Sequence, residues 1–199
     1  MTEPLRLYYV RHGETAWSLS GQHTGTTDIP LTANGEAGAR ELGPWLGKVA
    51  FSKVLTSPRQ RARRTCELAG LGANAEVEPD LAEWDYGDYE GRLSVDIRAD
   101  RPGWNVFRDG CPNGETPEAI AARAERLIGR LVTLRGNVAL FSHGHFGAVL
   151  ATRWLELAMI EGRRFPLAPA SMSILSVDAR HENTRVLELW NAVPARLAV

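Results

Sequence analysis

Four side chains carry the chemistry this sequence suggests: two histidines, His12 and His143, and two arginines, Arg11 and Arg61. Each comes just after a short apolar run. Residues 5–10 lead into Arg11-His12-Gly13-Glu14-Thr15, residues 54–56 into Ser57-Pro58-Arg59-Gln60-Arg61, and residues 138–141 into Ser142-His143-Gly144. If the runs are buried parallel strands, all four groups lie at strand C-terminal ends, the edge where open α/β sheets bind ligands. Two imidazoles and two guanidiniums gathered there form a cationic pocket suited to a phosphate. A neutral imidazole is a nucleophile near pH 7, its reference pKa being about 6.5. Attack by His12 on phosphorus would give a phosphohistidine. Taken alone, His12 could equally be a hydrogen-bonded structural residue.

Arg11 and Arg61 are expected to clamp the phosphate in bidentate fashion and to stabilise charge on its equatorial oxygens. Arg61 is expected in the first turn of a helix capped by Ser57 and opened by Pro58, where free N–H groups also favour anions. His143, protonated, could donate to the transferring phosphoryl group. Arg59, Arg63 and Arg64 read as a solvent-facing row, His145 is expected to point elsewhere, and His181 to lie in a turn. A leaving alkoxide needs a proton donor. Glu83, Asp85, Asp88 and Glu90 all lie in one aromatic-rich stretch, and physical chemistry alone does not choose among them. Glu14 is a weaker candidate. Nothing in the sequence demands a metal or cofactor: there is no H-E-x-x-H and no cysteine cluster. The residues around Ser142 do not form a G-x-S-x-G elbow, which argues against a serine hydrolase.

The elements that must position these groups alternate between strand and helix, an α/β pattern. Strands are expected at 5–10, 52–56 and 137–142, with a late hairpin of 171–178 and 184–190. Helices are expected at about 32–47 with Thr32 as N-cap, 57–69, 116–134 and 145–158. Residues 80–115, rich in Gly, Pro, Trp and Tyr, resist regular assignment apart from a short helix near 93–100. An insertion of that size reads as a substrate cover. With no repeats and no linker, residues 1–199 are expected to form one domain.

Bulk composition excludes several classes. Lys plus Arg number 23 against 24 Asp plus Glu, which argues against a nucleic-acid or membrane-surface binder. Lysine occurs only at 48 and 53, so the positive charge is nearly all arginine. Cys66 and Cys111 suit neither a disulfide framework nor a zinc site. No apolar stretch reaches the roughly 18–20 residues of a membrane span, and no signal-peptide pattern opens the chain. A cytoplasmic protein with a small phosphorylated metabolite as its partner is expected; the oligomeric state stays open.

Arg11-His12-Gly13-Glu14-Thr15 resembles the signature of the histidine phosphatase superfamily, in its phosphoglycerate mutase-like branch. The resemblance continues through Thr27-Asp28-Ile29-Pro30-Leu31-Thr32, Gly35-Glu36, Ser57-Pro58-Arg59-Gln60-Arg61-Ala62, Leu81-Ala82-Glu83 and Ser142-His143-Gly144. It implies a three-layer α/β sandwich with a central, mostly parallel sheet flanked by helices. It also implies His12 as the phosphorylated nucleophile, His143 as its partner, Arg61 as a phosphate ligand and Glu83 as proton donor. Residues 17–25, 83–91 and 104–111 resemble the sedoheptulose-1,7-bisphosphatase-like group more closely. That analogy implies Ser18, Gln22, Thr24, Tyr86 and Arg108 as substrate-binding residues. Many members carry Asn where this chain has Ser18, so a phosphate-side amide contact is replaced, at most, by a hydroxyl.

Phosphatases and mutases of this kind share the first half-reaction. The mutases carry a longer insertion between the acid and the second histidine, whereas Glu83 and His143 are only 60 positions apart here. The expectation is therefore a metal-independent phosphomonoesterase acting on a sugar phosphate or bisphosphate. Phosphoglycerate mutase-type transfer and a non-catalytic phospho-ligand module are the alternatives. A second anionic subsite would draw on Arg92, Arg98, Arg101 or Arg108.

Overall fold

The computed structural model describes residues 4–178, 180–181 and 183–194. Six strands form one sheet: β1 (Arg6–Arg11), β2 (Phe51–Thr56), β3 (Ala75–Val77), β4 (Asn137–Ser142), β5 (Met172–Asp178) and β6 (Thr184–Ala192). Their spatial order is β3-β2-β4-β1-β5-β6. The pairings among β1 to β4 are parallel, and β5 and β6 add antiparallel ladders beyond β1.

Side-chain alternation along the central strands divides the core into two layers. Leu7 and Tyr9 of β1, with Val138 and Leu140 of β4, join one apolar cluster; Tyr8, Val10, Ala139 and Phe141 join the other. The first layer is covered by α5 (Ser94–Asp100), α6 (Val106–Asp109), α7 (Pro117–Leu131) and α8 (Gly144–Trp154). The second is covered by α2 (Ala33–Glu41), α3 (Gly43–Leu46) and α4 (Gln60–Leu68), while α1 (Ala16–Ser20) lies in the loop after β1. In α7 the buried residues Ile120, Ala124, Leu127, Ile128 and Leu131 trace the 3.6-residue stripe that packs on the sheet.

Strand register places the chemistry. Arg11 stands opposite Ser142, and Thr56 opposite Phe141. The ladder extends one residue past each strand: His12 N–H donates to the Ser142 carbonyl and Ser57 N–H to the Phe141 carbonyl, both at 2.9 Å. His12, Ser57 and His143 therefore leave one edge of the sheet side by side.

Several boundaries differ from expectation. The helix expected over 32–47 divides into α2 and α3 at Gly43-Pro44, where proline lacks the N–H that continuation requires. Thr32 caps α2 as expected, accepting from Gly35 N at 3.0 Å. Ser57 does not cap α4. The helix begins at Gln60 with Arg59 as an N-cap lacking a side-chain bond; the Ser57 hydroxyl accepts from Arg59 N at 3.3 Å, one residue short of the helix, and also bonds His143. The last expected helix stops at Trp154, before Glu156 turns left-handed at φ 58°. Strand β3, three half-exposed residues at the sheet edge, has no apolar alternation to announce it.

The turn carrying His12 packs on the start of α2 through bare backbone. A Cβ on Gly13 would collide with the Gly35 carbonyl oxygen. Gly13→Ala should therefore destabilise the fold by about 1–3 kcal/mol through overpacking. Gly129→Ala, on the exposed face of α7 with nothing near its Cβ, should stabilise it by up to about 1 kcal/mol. Urea midpoints of the two variants test the contrast, and a stable Gly13→Ala protein would contradict the close approach.

Candidate active site

The four groups picked out by their spacing converge. The His12 and His143 rings lie 5.2 Å apart, centroid to centroid. Burial, with Arg11 and Arg61 adding repulsion, holds His12 well below the ordinary imidazole range. It is thus neutral at neutral pH and carries a single ring proton. Its Nδ1 lies 2.7 Å from the Gly13 carbonyl oxygen. A carbonyl can only accept, so Nδ1 holds the proton and the Nε2 lone pair is left free.

His143 is fully buried, and desolvation, Arg61 and His12 hold it well below its ordinary value too. Arg61 Nε–H donates to His143 Nδ1 at 3.2 Å, which leaves the proton on Nε2, 2.7 Å from Ser57 Oγ. The protonated His143 expected from the sequence is therefore not the form this environment favours. The Tyr9 hydroxyl, from β1, donates to the His143 carbonyl at 2.7 Å and accepts from its N–H at 3.1 Å, locking the backbone at this corner.

Arg61 is completely buried and has no carboxylate partner among the described residues. Besides His143, it donates to the carbonyls of Thr24, Gly25 and Thr27 at 2.9–3.0 Å. Most of the fork is thereby committed to the protein, so Arg61 acts more as a fixed buried charge than as the bidentate clamp expected. Arg11 lines the cavity beside His12, and its Nη1 donates to the Leu167 carbonyl. Its Nε–H is buried with no partner among the described residues.

Among the four acids, geometry singles out Glu83. It alone of the four lines the cavity of about 370 Å³ that opens on Arg11 and His12. Glu83 Oε1 accepts from Trp84 N at 2.9 Å and Phe146 N at 2.7 Å, and Oε2 from His145 N at 3.0 Å. Two of those donors are free N–H groups of the first turn of α8. Asp85 caps Gly87, Asp88 accepts from Asn113, and Glu90 accepts from Gly25 N and Thr27 N. Glu14 accepts from the Thr32 hydroxyl at 2.6 Å. The Glu83 loop is braced from α7: the Arg123 guanidinium donates to the carbonyls of Asp80, Ala82 and Glu83 and pairs with Glu115 at 2.7 Å.

The residues expected from resemblance to bind substrate divide. Ser18, Gln22, Thr24 and Tyr86 line the cavity. The Ser18 hydroxyl is already engaged in a capping box with Thr15, and the Gln22 amide spans Gly91 and Ser20. Arg108 is a correction: it is exposed, pairs with Asp109 at 2.8 Å and leaves Phe107 as the residue of α6 that reaches the cavity. Arg92, paired with Asp100, and Arg98, bonded to the Trp104 carbonyl, lie outside it too, as does Arg101. His145 is the opposite correction. It lines the cavity, with Nδ1 2.5 Å from the Tyr86 hydroxyl, and near it stands His23, whose ring lies 4.6 Å from Tyr86. Its position two residues after His143, in the first turn of α8, was the available signal. Arg163, Phe165 and Leu167 complete the wall and carried no recognisable motif. Among the described residues no cluster of three or more His, Cys, Asp or Glu could hold a metal.

Burial also lowers His23 and His145 to about 4. Unfolded, all four imidazoles take up protons near pH 6.5, while the folded rings stay neutral. The unfolded state therefore binds more protons below pH 6.5, and stability falls as pH drops. Each ring contributes up to about 1.4 kcal/mol per pH unit. The urea midpoint should fall steeply between pH 6.5 and 4.5; a level midpoint there would contradict neutral burial.

Comparison with known proteins agrees with this geometry. The pattern of the histidine phosphatase superfamily (branch 1) matches residues 7–192. An acid phosphatase of Mycobacterium tuberculosis is 42% identical over 188 residues, 92% of each chain. The sedoheptulose 1,7-bisphosphatase of Saccharomyces cerevisiae is 37% identical, over 77% of this chain and 69% of its own. Among solved structures, a mycobacterial glucosyl-3-phosphoglycerate phosphatase complexed with VO3 superposes with a TM-score of 0.82 at 29% identity, covering 94% of this chain and 98% of its own. Matched along nearly its whole length, the chain belongs to the histidine phosphatase superfamily.

Proposed function

We propose that this protein hydrolyses a phosphate monoester of a small sugar-like metabolite through a phosphohistidine on His12. One observation carries the reading: a neutral imidazole with its Nε2 lone pair free stands beside two guanidiniums that form no ion pair among the described residues. Arg11 and Arg61 draw in the dianion and offset its repulsion of the nucleophile. His12 Nε2 attacks phosphorus, the ester P–O bond breaks, and the leaving oxygen takes a proton from Glu83. Water then attacks the phosphohistidine, Glu83 takes the water proton, and inorganic phosphate and His12 are restored. The charge of the bound phosphate opposes the guanidinium repulsion felt by His143, so protonation of His143 becomes favourable as substrate enters.

The acid phosphatase and sugar bisphosphatase relatives support this substrate class. Residues 80–115 serve as the substrate wall, since Glu83, Tyr86, Ser94 and Phe107 all reach the cavity from it. A cytoplasmic setting accords with two buried free cysteines, whose thiols burial pushes up to about 12. Among the described residues no helix is long and apolar enough to cross a membrane.

Phosphate release, measured with EDTA present on sugar phosphates, sugar bisphosphates and phosphoglycerates, tests the reading. Release should be metal-independent and fall at least about 10³-fold in His12→Ala, the scale of losing a nucleophile. Transfer between phosphoglycerate hydroxyls without release would make the protein a mutase, and binding without turnover a non-catalytic module. Glu83→Gln should lower kcat/KM, which reads the P–O cleavage step ahead of the shared hydrolysis of phosphohistidine, by about 10²-fold or more on alkyl phosphates while sparing it on p-nitrophenyl phosphate, whose leaving group needs little protonation. Equal losses on both would remove Glu83 from the acid role.

A further inference from the structure

The cavity wall carries three formally charged side chains: Arg11 and Glu83 at the reacting end, and Arg163. Arg163 makes no hydrogen bond and no ion pair among the described residues, although its neighbour Arg164 pairs with Glu161. Its segment is held in place from two sides. Gly162 is buried against the Phe107 ring, close enough that a Cβ there would overlap it. Leu167 accepts from Arg11 through its carbonyl. Four residues of chain span at most about 14 Å when fully extended, so the backbone at Arg163 lies no farther than that from Leu167, which holds Arg11, and both arginines line the one cavity. Between the two ends the wall offers neutral polar groups from Ser94, Thr24, His23 and His145, and apolar surface from Ala148 and Phe165.

We infer that Arg163 is the recognition group for a second anionic substituent, a phosphate or a carboxylate, at the far end of a hydroxylated substrate whose first phosphate reacts at His12. The inference rests on the phosphatase reading of the site. A cation held at a cavity mouth without a carboxylate partner keeps its full attraction for an incoming anion, and a guanidinium matches either phosphate or carboxylate through paired N–H donors. The arginines that the sequence offered for this task are spent elsewhere or lie outside the cavity.

The test is a selectivity ratio. For wild type and Arg163→Ala, kcat/KM is measured on fructose 1,6-bisphosphate, fructose 6-phosphate, 3-phosphoglycerate and glycerol 3-phosphate. The ratio of kcat/KM for the substrate with two anionic groups to that for its partner with one should fall at least tenfold in the variant, chiefly through KM. Arg163→Lys should recover part of it, and Arg163→Glu should lower it further. A wild-type preference within the bisphosphate pair assigns a phosphate to Arg163, and one within the phosphoglycerate pair a carboxylate. Calorimetric binding of the same ligands to the His12→Ala protein, with and without Arg163→Ala, reads the second anion even if nothing is turned over. Discrimination in binding without turnover would sink the phosphatase reading and keep the role of Arg163. A ratio that Arg163→Ala leaves unmoved in both kinetics and binding, or a wild type with no preference for two anions, overturns the inference.

Discussion

A guanidinium buried without a carboxylate is the constraint around which the rest of this structure is arranged. Arg61 sits against His143 with zero exposure, and the His143 ring and three carbonyl oxygens accept from it without cancelling its charge. Burying such a charge is costly unless its hydrogen bonds are met. The loop from Thr24 to Thr27 meets them because it is held from behind: Glu90 accepts the N–H groups of Gly25 and Thr27, which turns the carbonyls of that stretch toward Arg61. Glu90 thus polarises the loop from outside the cavity. The segment 80–115 and the Arg61 corner are built as one unit, because residues 80–115 supply the carboxylate that aims the carbonyls.

A second constraint is to keep a carboxylate near that charge without letting the two collapse together. At short range in a poorly hydrated site, attraction between Glu83 and the guanidiniums is strong. Three backbone N–H groups hold Glu83 in place, two of them from the start of α8. Arg123 fixes the loop from the other side and lies over the Phe146 ring, whose own N–H is one of the three. A carboxyl group and the Arg11 guanidinium can therefore face one cavity as separate groups. An ion pair between them would leave the site with neither a proton carrier nor an open anion hole.

Much of this was legible in the sequence, for a specific reason. Residues at strand C-terminal ends are placed by the sheet itself, so a run such as Val138–Phe141 announces both an element and the location of the residues just beyond it. Arg11, His12, Arg61 and His143 are all of this kind. The misreadings occur where a side chain leaves its local role for a distant partner. Ser57 precedes Pro58 as a helix cap should, yet its hydroxyl serves His143, 86 positions away. Arg108 and Phe107 are neighbours in a one-turn helix, and only tertiary packing decides which faces inward. Arg163 lies in a run of charged residues around Gly162 that looks like solvated surface. What brings it to the cavity is the absence of a side chain at Gly162 beside Phe107, a contact with no local pattern.

On the proposed phosphohistidine mechanism, the same positive charge performs two tasks that usually conflict. A nucleophilic histidine has to be unprotonated, and a phosphate site has to be cationic. If the imidazoles supplied the positive charge, binding and nucleophilicity would oppose each other across the physiological pH range. Here the arginines hold the charge, and burial, reinforced by their field, keeps His12 and His143 neutral. The Gly13 carbonyl then chooses which nitrogen of His12 stays bare. An arriving dianion weakens that field where the phosphate lies. It lowers the cost of a proton on His143 at the moment negative charge is present to be stabilised, while the Nδ1 proton of His12 remains pinned to backbone. Two histidines that are chemically alike are thereby driven to different roles, one by the carbonyl it faces and the other by the guanidinium behind it.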